Sequence, residues 1–388
     1  MIRIAVLTTT RAEYGLMRQL IFKMMSDDEI ELSLIVSGTH LSEKFGMTVN
    51  EIIEDGVPIA HEIDIISESN GTIDVSKTMA NTIVYFSEHF QKYKYDYLLV
   101  DGDRYEVLAV CIAAVNCNIP IIHCSGGATT AGASDEYWRH AITKLSYLHF
   151  PTMKKYHDRI IRMGENPERV YTVGSMGLEN IRVMKLASKS EVEDRLGFIL
   201  DGPYALVTFH PVTLENATSK QQIEELLLAC EERKDFKFIF TKANADKDGE
   251  IINNCINAYV EKHKDSAICV SSLGAKYYLS AMKYCEFVMG NSSSGLIETP
   301  SFGIPTINIG ERQKGREQAE SIINCEPIKE EIVQAINKAC SKQFRELCKN
   351  VTNPNGDGRT SEKIIRHIKS IYKQGDISTK KSFYDVEK

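Results

Sequence analysis

The chain alternates short apolar runs with longer segments in which apolar residues recur at helical spacing. Most of the apolar runs are continuous, which is typical of strands covered on both faces of a parallel sheet. The predicted strands are Ile2–Thr8, Glu31–Ser37, Tyr97–Asp101, Ile119–His123, Ala205–Phe209, Phe236–Thr241, Ala267–Val270, Phe287–Met289 and Thr306–Ile309. The predicted helices include Ala12–Met25, Tyr105–Val115, Gln221–Glu231 and Lys329–Lys342. Because strands and helices alternate, the pattern predicts an α/β fold built from right-handed βαβ units.

This strand–helix pattern runs twice, with the glycine-containing segment Tyr171–Asn180 between the two sets. Such a segment is typical of a crossing or hinge. We therefore predict two Rossmann-like domains, residues 1–175 and 176–355, with the active site in the cleft between them. Residues 356–388 are predicted to form a C-terminal helix and tail that return to the N-terminal domain. Ligands of such sheets bind at the carboxyl ends of the strands, so residues that follow the strands are the candidates for chemistry.

Composition and charge narrow the classes of function. The chain has 388 residues and a formal net charge of −7, so it lacks the basic character that nucleic-acid binding needs. No stretch approaches the roughly 20 apolar residues of a membrane span, and the N-terminal run is too short for a signal peptide. We therefore expect a cytoplasmic protein. A small anionic ligand is compatible with the net charge, since it needs only a local cluster of donors. The ten cysteines form no C-x-x-C pair, which argues against a zinc site and favours free buried thiols.

Two strand ends in the first half carry candidate ligand-binding and acid–base groups. After the first strand, threonine hydroxyls, a helix N-terminus and Arg11 can hold an anion, although a helix cap followed by a surface arginine fits equally well. The strand Tyr97–Asp101 ends in one carboxylate, Asp101, and is followed by a second, Asp103, and by Arg104. A capping role for Asp103 is an alternative, but charges clustered at one strand end favour a functional interpretation.

The strand Ile119–His123 leads into a pair of glycines and then into charged residues at helical spacing. The glycines permit the backbone to approach a ligand closely. Asp135 and Arg139 are four residues apart, as are Glu136 and His140, so each pair would share a helix face. Ordinary surface pairing is the alternative interpretation, and we favour it for Glu136 and His140.

The second half offers a histidine and a serine-rich turn at its strand ends. His210 follows a strand directly, where it can act as a general acid or base or can be structural. The segment Gly290–Glu298 (GNSSSGLIE) follows another strand and opens a helix, so its N–H groups and hydroxyls can hold a diphosphate. Glu298 can accept both hydroxyls of a ribose, and Arg312 adds positive charge nearby. The segment fits neither the Walker loop nor the G-x-G-x-x-G fingerprint.

Six segments together resemble one family closely. They are TRAEYG at Thr10–Gly15, GDRYE at Gly102–Glu106, RHAITKLSYLHF at Arg139–Phe150, HPVT at His210–Thr213, GNSSSGLIETPSF at Gly290–Phe302 and NIGERQKGR at Asn308–Arg316. The chain resembles the hydrolysing UDP-N-acetylglucosamine 2-epimerases of bacterial sialic acid (nonulosonate) biosynthesis, from its first strand to about Asn353–Gly358. The resemblance implies a GT-B type of fold that binds UDP between its domains, no nicotinamide or metal in the chemistry, and a homodimer or homotetramer.

The resemblance also implies a reaction and roles for particular residues. In the family reaction the proton at C2 of the sugar is removed and UDP leaves C1, which gives 2-acetamidoglucal. Water then adds back with inversion at C2 and releases free N-acetylmannosamine. By resemblance, Asp103, Asp135 and His210 would surround the reacting sugar. The binding residues would be Arg11, Ser293, Ser294 and Arg312 for the diphosphate, Glu298 for the ribose, and Arg104 for positioning the sugar.

One position departs from the family pattern. The family reads H-I-H-G-G-E or H-I-E-G-G-E where this chain has HCSGGA at His123–Ala128. The resemblance gives the final glutamate an acid–base role that Ala128 cannot perform, and loss of such a group typically costs roughly 10²–10⁴-fold in rate.

Three explanations of this departure stay open. The chain is an inactive or engineered variant that still binds the UDP-sugar; or Asp103, Asp135 or His210 carries the proton transfer; or the substrate differs, for example a UDP-linked diacetamido-trideoxyhexose. A retaining glycosyltransferase on the same scaffold is a further reading of the whole chain, because a fold does not determine a function. The RHAITK and RQKGR segments disfavour it.

Overall fold

The structure is a computed structural model in which two compact α/β units can be described. The described residues are 1–66, 72–129, 135–211, 219–243, 249–375 and 380–386. One unit comprises Met1–Asn180 and Asn355–Lys388, and the other comprises Ile181–Pro354. Each unit contains one parallel six-stranded sheet with helices, so the predicted α/β class with two Rossmann-like domains is confirmed.

The first unit has the strand order β3-β2-β1-β4-β5-β6. Its strands are β1 (Ile2–Thr8), β2 (Ile30–Ser37), β3 (Ile59–Ile63), β4 (Tyr97–Asp101), β5 (Ile121–Cys124) and β6 (Leu148–Phe150). Its helices before the second unit are α1 (Arg11–Met25), α2 (Val49–Glu54), α3 (Thr72–Lys92), α4 (Tyr105–Asn116), α5 (Asp135–Leu145) and α6 (Lys154–Arg162), and α7 (Gly177–Val183) leads out of the unit.

The second unit has the strand order β12-β11-β10-β7-β8-β9. Its strands are β7 (Tyr204–Thr208), β8 (Lys237–Thr241), β9 (Ala267–Val270), β10 (Phe287–Gly290), β11 (Thr306–Ile309) and β12 (Ile322–Cys325). Its helices are α8 (Lys189–Leu196), α9 (Ser219–Glu231), α10 (Gly249–Lys262), α11 (Gly274–Tyr284), α12 (Ser293–Ile297), α13 (Lys329–Cys340) and α14 (Lys342–Lys349). The chain then returns to the first unit as α15 (Thr360–Gln374), whose isoleucines join the core beside α1.

The continuous apolar runs have a direct cause in the packing of the sheets. Successive residues of a strand point to opposite faces. In β1, Ile4 and Val6 belong to the core cluster beneath α1, whereas Ala5 and Leu7 belong to the cluster beneath α4. Both faces are therefore buried from Ile4 to Leu7, and no polar residue interrupts that part of the strand. None of the described helices combines the length and the apolar character that crossing a membrane requires.

The sequence prediction missed three strands, β3, β6 and β12, all of which lie at sheet edges. The segment of β3 (IAHEI) alternates polar residues, β6 has only three residues, and β12 carries an asparagine. None of the three therefore has a continuous apolar run of ordinary strand length, whereas the fourth edge strand, β9 (AICV), has one and was predicted. The prediction for β5 began two residues early, because Pro120 has no N–H for the sheet and offers only its carbonyl, which accepts from Leu98.

Each sheet has a point at which the order of strands reverses, between β1 and β4 in one unit and between β7 and β10 in the other. Crevices at the carboxyl ends of strands at such points are where open α/β sheets bind ligands. The predicted candidates Asp103 and Arg104 follow β4, and His210 and Gly290–Glu298 follow β7 and β10. The topology of each unit therefore brings these candidates to the carboxyl ends of its strands, the side of the sheet on which ligands bind. This side is called the ligand-binding edge below.

Candidate functional site

In the first unit, a buried arginine of α5 ties together the elements that carry the candidate acids. The side chain of Arg139 is 5% exposed. Its Nε donates to Oδ2 of Asp103 over 3.0 Å, and its Nη2 donates to the same oxygen. Its Nη1 donates to Oε2 of Glu136 over 3.0 Å and to the carbonyl of Ala128 over 3.1 Å. Arg139 therefore holds the half-buried Asp103 in a defined position beside the glycine turn.

The second cation of this edge, Arg104, is positioned by a carboxylate of its own. Its Nη2 donates to Oε1 of Glu106 over 2.7 Å and its Nε donates to Oε2 over 3.2 Å. Glu106 is 1% exposed and lies in the first turn of α4, so the pair anchors the guanidinium to the helix. The side chain of Arg104 is 39% exposed, which leaves it accessible to a ligand.

Arg11 is placed differently from Arg104. It is exposed, and its Nε lies 2.8 Å from Oε1 of Glu51. The preceding Thr10 caps α1, since its hydroxyl accepts from the N–H of Glu13 over 3.3 Å. A cap and a surface arginine therefore account for the local geometry, and a role for Arg11 in diphosphate binding stays a prediction.

Three carboxyl groups of this edge have raised pKa values. Burial raises the pKa of Glu13 to about 7, although its oxygens accept from the N–H and hydroxyl of Thr9. Burial also raises the pKa of Asp101 to about 7. For Asp135, at the exposed start of α5, desolvation and then the negative charge of Asp103 raise the pKa. This edge therefore contains carboxyl groups that can be protonated near neutral pH, and the surroundings of each decide whether it can act on a ligand.

The paired glycines have a packing role. A Cβ at Gly127, whose φ is +79°, would lie 2.6 Å from the carbonyl oxygen of Tyr156. A Cβ at Gly126 would lie 2.9 Å from Nδ1 of His123. The turn is thus pressed against α6 and against a buried histidine, and this contact alone requires glycine at both positions. Thr130, at the end of the same turn, lies outside the described residues.

In the second unit, Asn291 organises the ends of the neighbouring strands. Its Oδ1 accepts from the N–H of His210 over 2.7 Å, and its Nδ2 donates to the carbonyl of His210 over 2.8 Å. Its own carbonyl accepts from Nη1 of Arg312 over 3.1 Å and from Nε2 of Gln313 over 2.8 Å. The structure therefore brings His210, the serine-rich turn Gly290–Glu298 (the serine turn) and Arg312 together at the ligand-binding edge of the second sheet. Val212 and Thr213 of the HPVT segment lie outside the described residues.

The serine turn contains a capped short helix and a buried acid. Ser292 caps α12, because its hydroxyl accepts from the N–H of Ser294 over 3.4 Å. Glu298 follows the last residue of α12, and its Oε2 is buried without a hydrogen-bond partner among the described residues. Burial raises the pKa of Glu298 to about 7. A buried acceptor without a partner is suited to a ligand that brings a donor.

Removal of the Asn291 side chain is expected to destabilise the second unit. Asn291→Ala would remove the two hydrogen bonds that its side chain makes with the N–H and the carbonyl of His210, which costs about 1–3 kcal/mol. Urea unfolding measures the change. Asn350→Ala is the matched control, because the exposed side chain of Asn350 donates to the carbonyl of Glu346 at the end of α14, and its loss should stay within about 0.5 kcal/mol. Equal effects of the two changes would contradict the role given to Asn291.

The sequence prediction missed Arg139 as the partner of Asp103, and it missed Asn291. These contacts join residues 36 and 81 positions apart, so no local spacing indicates them. A possible signal for Asn291 was its place directly after a strand, next to a glycine. In the described part of the chain, no group of three or more His, Cys, Asp or Glu side chains is arranged to hold a metal ion.

Comparison with known proteins agrees with the motifs. The family model described as UDP-N-acetylglucosamine 2-epimerase matches residues 23–369. The chain is 38% identical over 344 residues to the GDP/UDP-N,N'-diacetylbacillosamine 2-epimerase (hydrolyzing) of Campylobacter jejuni, covering 89% of each chain. It is 37% identical over 385 residues to polysialic acid biosynthesis protein P7 of Escherichia coli, covering 99% of this chain and 97% of that protein.

A solved structure shows the same fold. The UDP-GlcNAc 2-epimerase of Neisseria meningitidis, crystallised with UDP-GlcNAc, matches with a TM-score of 0.77 at 16% identity, covering 95% of this chain and 100% of that chain. At this identity the match concerns the fold alone. The family model and the two relatives show more, because they cover most of the chain. The chain therefore belongs to the UDP-N-acetylglucosamine 2-epimerase family.

Proposed function

We propose that this protein is a hydrolysing 2-epimerase that converts UDP-N-acetylglucosamine into N-acetylmannosamine and UDP. The observation that carries the proposal is Asp103, a carboxylate held by the buried Arg139 at the strand-order reversal of the first sheet. Family membership supports the reaction class. The Campylobacter relative is named as a hydrolysing enzyme, which supports release of a free sugar.

The chemistry needs two proton-transferring groups, because the configuration at C2 inverts. One group takes the C2 proton while the C1–O bond breaks and its electron pair leaves with UDP. Water then attacks C1 of the glucal, and a second group delivers a proton to the opposite face of C2. We assign removal of the C2 proton to the group formed by Asp103, Asp135 and His210, of which the two aspartates lie together in the first unit.

Departure of UDP needs donors on its diphosphate, since negative charge develops there as the bond breaks. The proposed donors are the hydroxyls of Ser293 and Ser294 and the guanidinium of Arg312, which is bonded to the same serine turn. Arg11 is an additional cation for the diphosphate, and Arg104 positions the sugar.

Glu298 would make UDP binding depend on pH. Ribose hydroxyls donate to an ionised carboxylate, whereas burial raises the pKa of Glu298 to about 7 in the free protein. Below about pH 7 a proton must therefore leave on binding, and UDP affinity should fall by at most about tenfold per pH unit. Calorimetry from pH 5.5 to 8 measures this.

UDP has a titrating group of its own, so its affinity would depend on pH even without Glu298. Glu298→Gln is the control for this background. The amide keeps an acceptor oxygen but cannot ionise, so the difference between wild type and variant isolates the contribution of Glu298. Parallel affinity curves for the two proteins would contradict the role of Glu298 as the ribose-binding group.

A second candidate substrate is a UDP-linked diacetamido sugar. The observation that favours it is the Campylobacter relative, which is named for N,N'-diacetylbacillosamine and is 38% identical to this chain. The two substrates are distinguished by kcat/KM measured for each, with UDP release followed by chromatography. We expect turnover of UDP-N-acetylglucosamine. Turnover of the diacetamido sugar alone would transfer the proposal to that substrate, and turnover of neither would refute the reaction class.

A further inference from the structure

Ser125 lies in the same turn as Ala128, three residues before it. Ser125 follows β5 with a φ of +62°, a left-handed conformation that serine rarely adopts. This backbone costs on the order of 1 kcal/mol, and such strain is concentrated at functional sites. The N–H of Ser125 donates to the carbonyl of Phe150 over 3.1 Å, which fixes the turn. The hydroxyl donates to Oδ1 of Asp101 over 2.7 Å.

The partner, Asp101, differs from Asp103 and Glu106, which are paired with arginines. Asp103 is paired with Arg139, and Glu106 is paired with Arg104. Asp101 is 3% exposed and accepts its hydrogen bond from a neutral hydroxyl. Ser125, by contrast, is only partly buried. A proton can therefore reach Asp101 from the ligand-binding edge through the Ser125 hydroxyl.

We propose that Ser125 and Asp101 form a proton relay that delivers the proton to C2 of the glucal intermediate, in place of the acid absent at position 128. Ser125 is the group that contacts the substrate, and Asp101 acts through it. This inference rests on the proposed function, since it assigns one step of that reaction.

Two proton transfers make up the relay step. The Ser125 O–H bond breaks as its proton forms the new C2–H bond, and protonated Asp101 returns a proton to the serine oxygen. Water supplies hydroxide to C1, and its remaining proton passes to solvent. Asp101 ends as a carboxylate and is reprotonated through Ser125 before the next turnover. No oxidant or further reactant is needed.

The electrostatic surroundings of Asp101 suit an acid that works near neutral pH. Its titratable neighbours are Asp103 at the same strand end, Glu13 on α1 and Cys124 on β5. Burial, and secondarily the charge of Asp103, raise the pKa of Asp101 to about 7. The relay needs the protonated form, so this step should slow as the pH rises through about 7.

Glu13 provides a matched comparison within the same edge. It is also buried, and burial raises its pKa to about 7 as well. Its oxygens, however, accept from the N–H and hydroxyl of Thr9, and Thr9 is 0% exposed. Glu13 thus has no accessible hydroxyl between it and a ligand, and it is a structural carboxylate.

The test compares Asp101→Asn, Ser125→Ala and Ser125→Gly with Glu13→Gln, each checked for folding by its melting temperature. Asparagine still accepts the Ser125 hydrogen bond but cannot ionise. Glycine removes the hydroxyl and also relieves the left-handed strain, so it separates function from stability. We expect the first three variants to lower kcat by roughly 10²-fold or more, and Glu13→Gln to stay within about threefold.

Two readouts distinguish a relay from a structural role. The relay variants should release UDP with 2-acetamidoglucal, visible by NMR, and should lose the decline of kcat above about pH 7. A Ser125→Ala protein with wild-type turnover would overturn the relay, as would slow variants that keep the wild-type pH profile and release no glucal. A wild-type protein that forms neither UDP nor free sugar would instead refute the proposed function.

Discussion

Asp103→Asn is expected to lower kcat by roughly 10²–10⁴-fold, the range for loss of a general acid or base. Asparagine has the shape of aspartate and keeps an oxygen for the bonds that Arg139 donates, so the first unit should remain folded. The affinity for UDP should change little, because the proposed diphosphate ligands Ser293, Ser294 and Arg312 lie in the second unit and the additional cation Arg11 pairs with Glu51 rather than with Asp103. Steady-state kinetics and UDP calorimetry on the same preparation measure both quantities.

The control for this change is Asp235→Asn. Asp235 also forms an ion pair with an arginine, Arg233 at 2.7 Å, but its side chain is 59% exposed and lies outside the candidate site. Its replacement should leave kcat within about twofold of wild type. The assignment of Asp103 would be wrong if Asp103→Asn kept more than a tenth of the wild-type kcat, or if it mainly weakened UDP binding.

Gly290→Ala is expected to have the largest effect on stability of any single change considered. Gly290 ends β10 with a φ of +131°, and a Cβ there would lie 1.9 Å from the carbonyl oxygen of Thr208 in β7. That oxygen also accepts from the N–H of Asn291 over 3.1 Å, so relief of the clash would disrupt the adjoining turn. We expect a loss of roughly 3–5 kcal/mol in the free energy of unfolding, measured by urea denaturation.

Gly315→Ala separates the clash from the cost of backbone conformation. Gly315 also has a positive φ, +81°, but a Cβ there would meet nothing within 4 Å. Only the left-handed strain should remain, at about 1–2 kcal/mol. If the two glycine variants lost the same stability, the contact between β10 and β7 would not be the reason that Gly290 is required.

The sequence predicted the central strands well because burial on both faces leaves a continuous apolar run. It missed β3, β6 and β12, where short length or polar residues at an edge remove that signal. The expectation that ligands bind at the carboxyl ends of parallel strands was also informative. Those ends lie along one side of the sheet, whatever residues the loops contain. Asp103, His210 and the serine-rich turn were thus found at the carboxyl ends of central strands, next to the points where the order of strands reverses.

The side-chain partners within the site could not be predicted in this way. The partners of Asp103, Asp101 and His210 are 36, 24 and 81 residues distant in sequence, and each depends on how two strands or a strand and a helix are juxtaposed. Ala128 illustrates the limit further. The sequence marks it as a missing acid, whereas the structure shows that its carbonyl accepts a bond from Arg139, which a residue of any type can supply.

The most direct test of the proposed reaction is proton NMR of the purified protein with UDP-N-acetylglucosamine in heavy water. Removal of the C2 proton followed by return of a solvent proton predicts UDP together with free N-acetylmannosamine that carries deuterium at C2. Free N-acetylglucosamine that retains its C2 proton would show simple hydrolysis without epimerisation, and it would contradict the proposed function.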